Sequence, residues 1–272
     1  MIPRRLRPII YPFRPYYYPL IGKRIELPQP EASYRILYPK FINATDNVIE
    51  VGARTGGGTL LLSELANHVY SFEPIRFSFR MLRMNTRKCQ NVTLYDSAVS
   101  NLDGKLTLNL PVGEQCPYVA STKKILGYEY RGQQSAKTVK LDDLVFPMKP
   151  TSLVVDCEGH EAEVLDGART LLPKLRNIIV ETHTLSDGSE TLPVVKSILS
   201  EHSDIFEIDT SFVDKERQSW ILAKSLLQRR SAHARNDSPL NLWRPSQLLK
   251  PSQQRLKLKG IKTTSLPSSL FA

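Results

Sequence analysis

N-V-I-E-V-G-A-R-T-G-G-G-T-L-L-L-S-E-L, residues 47–65, decides how the rest of this 272-residue chain is read. Its apolar run predicts a buried strand over Val48–Val51, then a glycine-rich turn, then a helix carrying Leu60, Leu61 and Leu65. Glu50 stands at the end of the strand, and Gly52, Gly56, Gly57 and Gly58 permit close approach of the backbone. Strand, glycine loop and helix N-terminus together describe a nucleotide-binding crevice at the carboxyl edge of a parallel sheet.

The same unit recurs downstream. His68–Phe72 predicts a second strand ending at Glu73-Pro74, with a helix running on to about Lys88. In that helix Arg76, Arg80, Arg83 and Arg87 fall on one stripe, read as a solvated face. Val92–Tyr95 is a third strand, ending at Asp96-Ser97. A turn at Asp103-Gly104 leads into alternating Leu106, Leu108 and Leu110, the pattern of a half-buried strand. Residues 111–135 read as a polar loop, and order resumes over Thr138–Leu144. Ser152–Val155 is a fourth buried strand, ending D-C-E-G. The helix after it carries Val164, Leu165, Ala168, Leu171, Leu172 and Leu175 on one face. Asn177–Val180 is a fifth, ending at Glu181-Thr182-His183. After a helix over Leu192–His202, strands at Phe206–Thr210 and Ser219–Ala223 share a connection too short for a crossover, so they pair antiparallel.

Charge separates the flanks from the middle. Residues 1–40 form a Pro/Tyr/Arg-rich arm with eight Lys/Arg against two Asp/Glu, and the repeated prolines of residues 1–30 forbid regular helix there. Residues 229–272 carry nine against one and read as a disordered basic tail. The domain between them, 41–228, is net acidic. Solvated flanks are the plain reading; the other is an anionic partner, a membrane surface or nucleic acid. Glu31–Asn43 reads as a short element leading into the first strand. The three cysteines, Cys89, Cys116 and Cys157, are scattered and form no C-x-x-C pair, which predicts reduced thiols and a cytoplasmic protein. No apolar run reaches the roughly 20 residues of a transmembrane helix, and no secretory leader is evident.

Acids stand where ligands bind in such sheets, at the carboxyl ends of strands: Glu50, Glu73, Asp96, Asp156, Glu158 and Glu181, with His183 beside the last. An ionised carboxylate only accepts, so Glu73 at the end of the second strand suits a pair of ribose hydroxyls. Two ligands fit a glycine loop with such an acid. A dinucleotide prefers G-x-G-x-x-G, whereas this chain has E-x-G-x-x-x-G, with Arg54 where the second glycine belongs. An acid at position 50 repels a pyrophosphate but suits a ligand bearing a positive amino or sulfonium group. S-adenosylmethionine has both.

From about Asn47 to Ser225 the chain resembles the FkbM family of S-adenosylmethionine-dependent O-methyltransferases. The segments that carry the resemblance are V-I-E-V-G-A-R-T-G, S-F-E-P, D-S-A-V-S-N-L-D-G-K-L-T-L, V-K-L-D-D-L, V-V-D-C-E-G-H-E-A-E-V-L-D-G-A and I-I-V-E-T-H. The family usually has Asp at Glu50, Asn at Arg54 and often an aromatic at His160. The resemblance implies a Rossmann-like class I methyltransferase fold, an α/β architecture with a central, mostly parallel seven-stranded sheet whose final strand is antiparallel. It implies a cofactor site made by Glu50, Gly52, Ala53, Gly56, Glu73, Asp96 and Ser97. Glu50 and Gly52 would line the methionine moiety, Glu73 the ribose, and Asp96 with Ser97 the adenine edge.

Methyl transfer to oxygen requires a group to take the acceptor's proton, and His183 is the residue type whose ordinary pKa suits that near neutrality. Asp156, Glu158 and Glu181 would orient that base, bind the acceptor or hold a divalent cation, although no metal ligands are assigned from sequence. The expected acceptor is a small molecule, above all a sugar or glycoconjugate, with the insertion between residues 104 and 145 forming much of its side and Tyr118, Tyr128 and Tyr130 available to stack. The alternatives are a nucleic-acid-associated methyltransferase and a non-catalytic scaffold with basic tails.

Overall fold

The computed structural model describes residues 31–112, 120–214 and 219–226. The expected arm up to residue 30, the basic tail, Cys116 and Tyr118 lie outside the described residues. Five helices and ten strands follow in order: α1 (Ala32–Phe41), β1 (Asn47–Val51), α2 (Gly57–Leu65), β2 (His68–Phe72), α3 (Arg76–Asn85), β3 (Val92–Tyr95), β4 (Ala98–Val99), β5 (Gly104–Pro111), β6 (Tyr130–Val139), β7 (Ser152–Val155), α4 (Glu161–Asp166), β8 (Asn177–Thr182), α5 (Leu192–Ser200), β9 (Phe206–Asp209) and β10 (Ser219–Ser225).

Seven strands form one sheet in the order β3-β2-β1-β7-β8-β10-β9. The first four pairings are parallel, while β10 runs antiparallel to both neighbours. The expected architecture is therefore present, including its reversed last strand. Strand alternation sends Ile49, Val51, Leu153, Val155, Ile178 and Val180 to one face, where α4 and α5 contribute Val164, Leu165, Val195 and Leu199. Val48, Val154, Ile179 and Trp220 go to the other, beneath α1 and α2. Tyr34, Leu37 and Tyr38 of α1 are buried in that second core, so residues 32–40, grouped with the arm in sequence, pack as part of the folded domain.

The amino-terminal edge of the sheet is tied together by one fully buried acid, Asp46. It accepts hydrogen bonds from Thr151 Oγ1 at 2.7 Å, Ser152 Oγ at 2.9 Å and the Asn43 backbone N–H at 2.9 Å, and it pairs with Arg176. These partners come from the starts of β7 and β8 and from the loop before β1. A single carboxylate thus sets three parallel strands in step, and their carboxyl ends arrive together at the opposite edge.

Two elements differ from expectation. The segment 111–135 is not all loop, because β6 begins at Tyr130 and pairs antiparallel with β5 along its length. Its inward positions are Tyr130, Gly132, Gln134, Ala136 and Thr138, small or polar residues that give no apolar alternation. The helix expected through Leu175 stops at Asp166 and continues as turns and a 3-10 segment over Leu172–Lys174. At Gly167 a side chain would stand 2.0 Å from the Ser100 carbonyl, so the chain presses against its neighbour there. Val164, Leu165, Ala168, Leu172 and Leu175 are buried all the same.

Strands β4, β6 and β5 form a second, three-stranded sheet built from the stretch between β3 and β7. Arg76, Arg80, Arg83 and Arg87 are all exposed, as a solvated stripe should be. Among the described residues no helix is long and apolar enough to cross a membrane. Asp46→Ala should lower unfolding free energy by about 3 kcal/mol or more, since it strands a partly buried guanidinium and two hydroxyls without their acceptor. Urea denaturation of the two proteins measures it; a change under 1 kcal/mol (roughly the worth of one exposed pair) would show that Asp46 does not hold the edge.

Candidate active site

A cleft of about 620 Å³, counted with the space open to solvent, lies beyond the carboxyl ends of β1, β2 and β7. The glycine turn after β1 forms one wall. Gly52 has φ +93°, and a side chain on it would stand 1.7 Å from the Asp156 carbonyl, so only glycine lets the two strand ends come so close. The Gly52 and Ala53 N–H groups both donate to the Phe72 carbonyl at 3.0 Å, which stitches the turn to β2.

Glu73, immediately after β2, lines the cleft and is buried. Each of its carboxylate oxygens accepts a backbone N–H at 2.7 Å, from Arg54 and from Ile75. Each therefore keeps a second lone pair for a ligand hydroxyl. Burial raises this carboxyl to about 8, against the pull of those two N–H groups and the Arg54 charge. Ser97, Ala98 and Val99 lie along one side of the cleft with Pro74 and Ile75, a wall of small and apolar groups suited to a flat base. These residues fit the cofactor expected from sequence.

Other residues assigned to the cofactor lie elsewhere. Glu50 does not line the cleft: strand alternation turns it to the α1–α2 face, where its Oε2 accepts from Thr59 at 2.6 Å and Ser71 at 2.7 Å. Gly58 makes room for it, since a side chain there would meet Oε1 at 2.7 Å. Asp96 is exposed and outside the lining, although Ser97, the next residue, is part of it. Ala53 and Gly56 shape the turn without lining the cleft; Gly56, at φ +96°, caps α2.

Elsewhere in the cleft the acids that follow β7 meet the histidine that follows β8. Asp156 and Glu158 line it, and His183 stands behind them, its side chain only 3% exposed. His183 Nε2 lies 3.4 Å from Glu158 Oε2 and 3.7 Å from Asp156 Oδ1. On its other side Nδ1 lies 2.9 Å from Glu161 Oε1, and that oxygen also accepts the Gly159 N–H at 2.8 Å. Burial alone would lower the His183 pKa, but Glu161, Glu158 and Asp156 outweigh it and raise it to about 10. Glu158 is raised too: burial and Asp156 lift it to about 7 despite His183. Glu181 is buried on the α1 face opposite Trp220, raised well above the ordinary carboxylate range by burial and then by Asp156.

Sequence reasoning had no signal for several groups that hold this arrangement. Tyr34, from α1, donates its hydroxyl to Asp156 Oδ2. Arg54 lines the cleft and pairs with Glu31 at 2.7 Å. Glu158 adopts φ +56°, uncommon for a residue with a side chain, and Ser121 donates its hydroxyl to the Glu158 carbonyl. From the second sheet and its loop, Leu106, Leu108, Ala120 and Thr122 close the cleft, whereas Tyr128 and Tyr130 are not part of its lining. His160 joins that layer to the main sheet, with one ring nitrogen 3.0 Å from Thr122 Oγ1 and the other 3.0 Å from Ser100 Oγ.

Residues 50–212 match the family model described as Methyltransferase FkbM domain. Hexuronic acid methyltransferase AglP of Haloferax volcanii is 30% identical over 184 residues, 64% of this chain and 72% of that protein. The crystal structure of methyltransferase FkbM from Methylobacillus flagellatus KT superposes with a TM-score of 0.48 at 17% identity, covering 76% of this chain and 50% of that one. The chain thus spans half the length of that structure.

The buried acids couple stability to pH. Glu50 is raised by burial from 4.5 to about 7, and Glu73 to about 8, so the folded chain holds protons that the unfolded chain has released. Their contribution is complete below about pH 4.5 and is lost as pH rises through 7 and 8. The ligand-free protein should melt several degrees lower at pH 8.5 than at pH 5.5, and Glu50→Gln should flatten that slope (roughly 2–4 °C for each kcal/mol). Scanning calorimetry across the range checks it; identical slopes in the two proteins would contradict the assignment to Glu50.

Proposed function

The chain belongs to the FkbM methyltransferase family, and from that premise we propose that it methylates a hydroxyl of a sugar or glycoconjugate. It is an S-adenosylmethionine-dependent methyltransferase by membership of that family; the acceptor class is the proposal. Similarity to a hexuronic acid methyltransferase supports a carbohydrate acceptor. The single observation that carries the reading is the cleft itself. A buried ribose-type acid, Glu73, stands at one end, and two acids, Asp156 and Glu158, line it as well.

Glu73, Gly52 and Ser97 would hold the cofactor, which when bound supplies a methyl group on a positively charged sulfur. The acceptor enters against the wall formed by Leu106, Leu108, Ala120 and Thr122. Its hydroxyl oxygen gains the methyl group and gives up its proton, and the nearest acceptors for that proton are the carboxylates of Asp156 and Glu158. A carboxyl held near 7 suits the task at neutral pH. His183 does not line the cleft, so in this reading it acts through Glu158 and Asp156 as a positioning residue, braced by Glu161. Cys89 and Cys157 are free thiols, in keeping with the reducing cytoplasm proposed as the protein's setting.

Incubation with methyl-labelled S-adenosylmethionine and a panel of sugars, hexuronic acid glycosides included, should yield a methyl ether on one acceptor class. Glu73→Ala should weaken cofactor binding about tenfold to a hundredfold, the worth of two hydrogen bonds to the ribose hydroxyls. Glu158→Gln should leave that affinity within a few-fold and lower kcat about a hundredfold or more. Label appearing on nitrogen, or only on nucleic acid, would overturn the acceptor assignment.

A further inference from the structure

Resting on that reading for what the cleft holds, we propose that Asp156, Glu158 and His183 bind a divalent cation at its wall, with Mn²⁺ the ion that best suits the donors. Each residue offers one ligand atom, and the three atoms lie within 4.8 Å of one another. The imidazole-to-carboxylate distances are 3.4 and 3.7 Å. Ligands about 2.0–2.2 Å from a tetrahedral or octahedral ion stand about 2.9–3.5 Å apart, so the two imidazole-to-carboxylate distances are within a few tenths of an ångström of a ligand set.

Carboxylates gathered at a cleft are common and by themselves indicate nothing. The imidazole makes the difference. His183 is buried, and its Nε2 has no hydrogen-bond partner although it is aimed between the two acids. A buried polar nitrogen left so is costly unless something fills the gap. The other nitrogen explains what that something is. Glu161 Oε1 receives Nδ1–H and is itself held by the Gly159 N–H, so Nε2 is the nitrogen left facing the acids, and a bound ion there would take the place of its proton. Carboxylate behind imidazole behind metal is the usual support of a ligating histidine.

The two acids are held in place as well. Tyr34 occupies Asp156 Oδ2 and leaves Oδ1 toward His183, and Ser121 secures the backbone of Glu158 in its left-handed conformation. Two carboxylate oxygens and one imidazole nitrogen are too few and too nitrogenous for Ca²⁺, which takes 6–8 oxygens, and Mg²⁺ favours carboxylate, phosphate and water. Mn²⁺ suits carboxylate and water and, as a first-row ion, takes an imidazole beside them. Because Asp156 and Glu158 line the cleft, its open coordination positions face the space where the acceptor enters.

The test uses the full chain, stripped with chelator and titrated with Mn²⁺ by electron paramagnetic resonance and calorimetry, with S-adenosylmethionine binding measured on the same samples. One saturable Mn²⁺ per chain is expected, lost in His183→Ala and in Asp156→Asn. Glu161→Gln, which keeps all three ligands, should bind about 10–100-fold more weakly. If the buried substitutions prevent folding, Glu158→Gln at the cleft wall replaces them and should abolish binding. No saturation at millimolar Mn²⁺ in a protein that still binds S-adenosylmethionine overturns the ion site and spares the cofactor reading. Unchanged Mn²⁺ affinity in the ligand variants overturns it too. Mn²⁺ binding without S-adenosylmethionine binding supports the ion site and removes the cofactor reading.

Discussion

Parallel strands cannot be positioned by a tight turn, so something else must set their relative register, and here it is the buried carboxylate of Asp46. By gathering Thr151, Ser152 and Arg176 it aligns β1, β7 and β8 at the edge remote from the cleft. With rigid strands between, that alignment is transmitted to the opposite edge, where Gly52 must pass the Asp156 carbonyl with no space for a methyl group. The fit of the site is thus decided at two ends of the same strands, by polar satisfaction at one and by steric closeness at the other.

The two faces of the sheet divide the labour. Beneath α1 and α2 the apolar core is interrupted by Glu50 and Glu181, each in a position parity sends to that face. Glu50 is satisfied by two hydroxyls from neighbouring elements, and in this chain its work is to join β1, β2 and α2. Tyr34 reaches from the same layer around the strand end to Asp156. The lead-in helix therefore supports the site from behind while contributing little to the cleft surface.

What the sequence made legible follows from physical scale. Buried parallel strands write themselves as apolar runs, and a mostly parallel seven-stranded sheet with an antiparallel final strand was readable, as was β5 from Leu106, Leu108 and Leu110. Strand β6 was not, since its inward positions are small or polar and its stability comes from pairing with β5. The helix after β7 was read too long, because a period of buried leucines persists through turns as well as through helix. In the site, position along a strand identified Glu73, Asp156 and Glu158 correctly as cleft residues. Glu50 and Asp96 stand outside the cleft lining; for Glu50 the face it takes decides this, and which element packs on that face is not local information. The pairing of His183 with Glu161 joins residues 22 apart on different elements, and no spacing rule reports it.

The small sheet β4-β6-β5 comes from one uninterrupted stretch between β3 and β7, and it supplies the cleft with Leu106 and Leu108, with Ala120 and Thr122 from its connecting loop. Everything that holds adenosine in the proposed reading lies outside the β5–β6 hairpin. The molecule is thereby a socket with an interchangeable lid: rewriting a few positions on one hairpin would retune which hydroxyl is admitted, while the socket stays as it is.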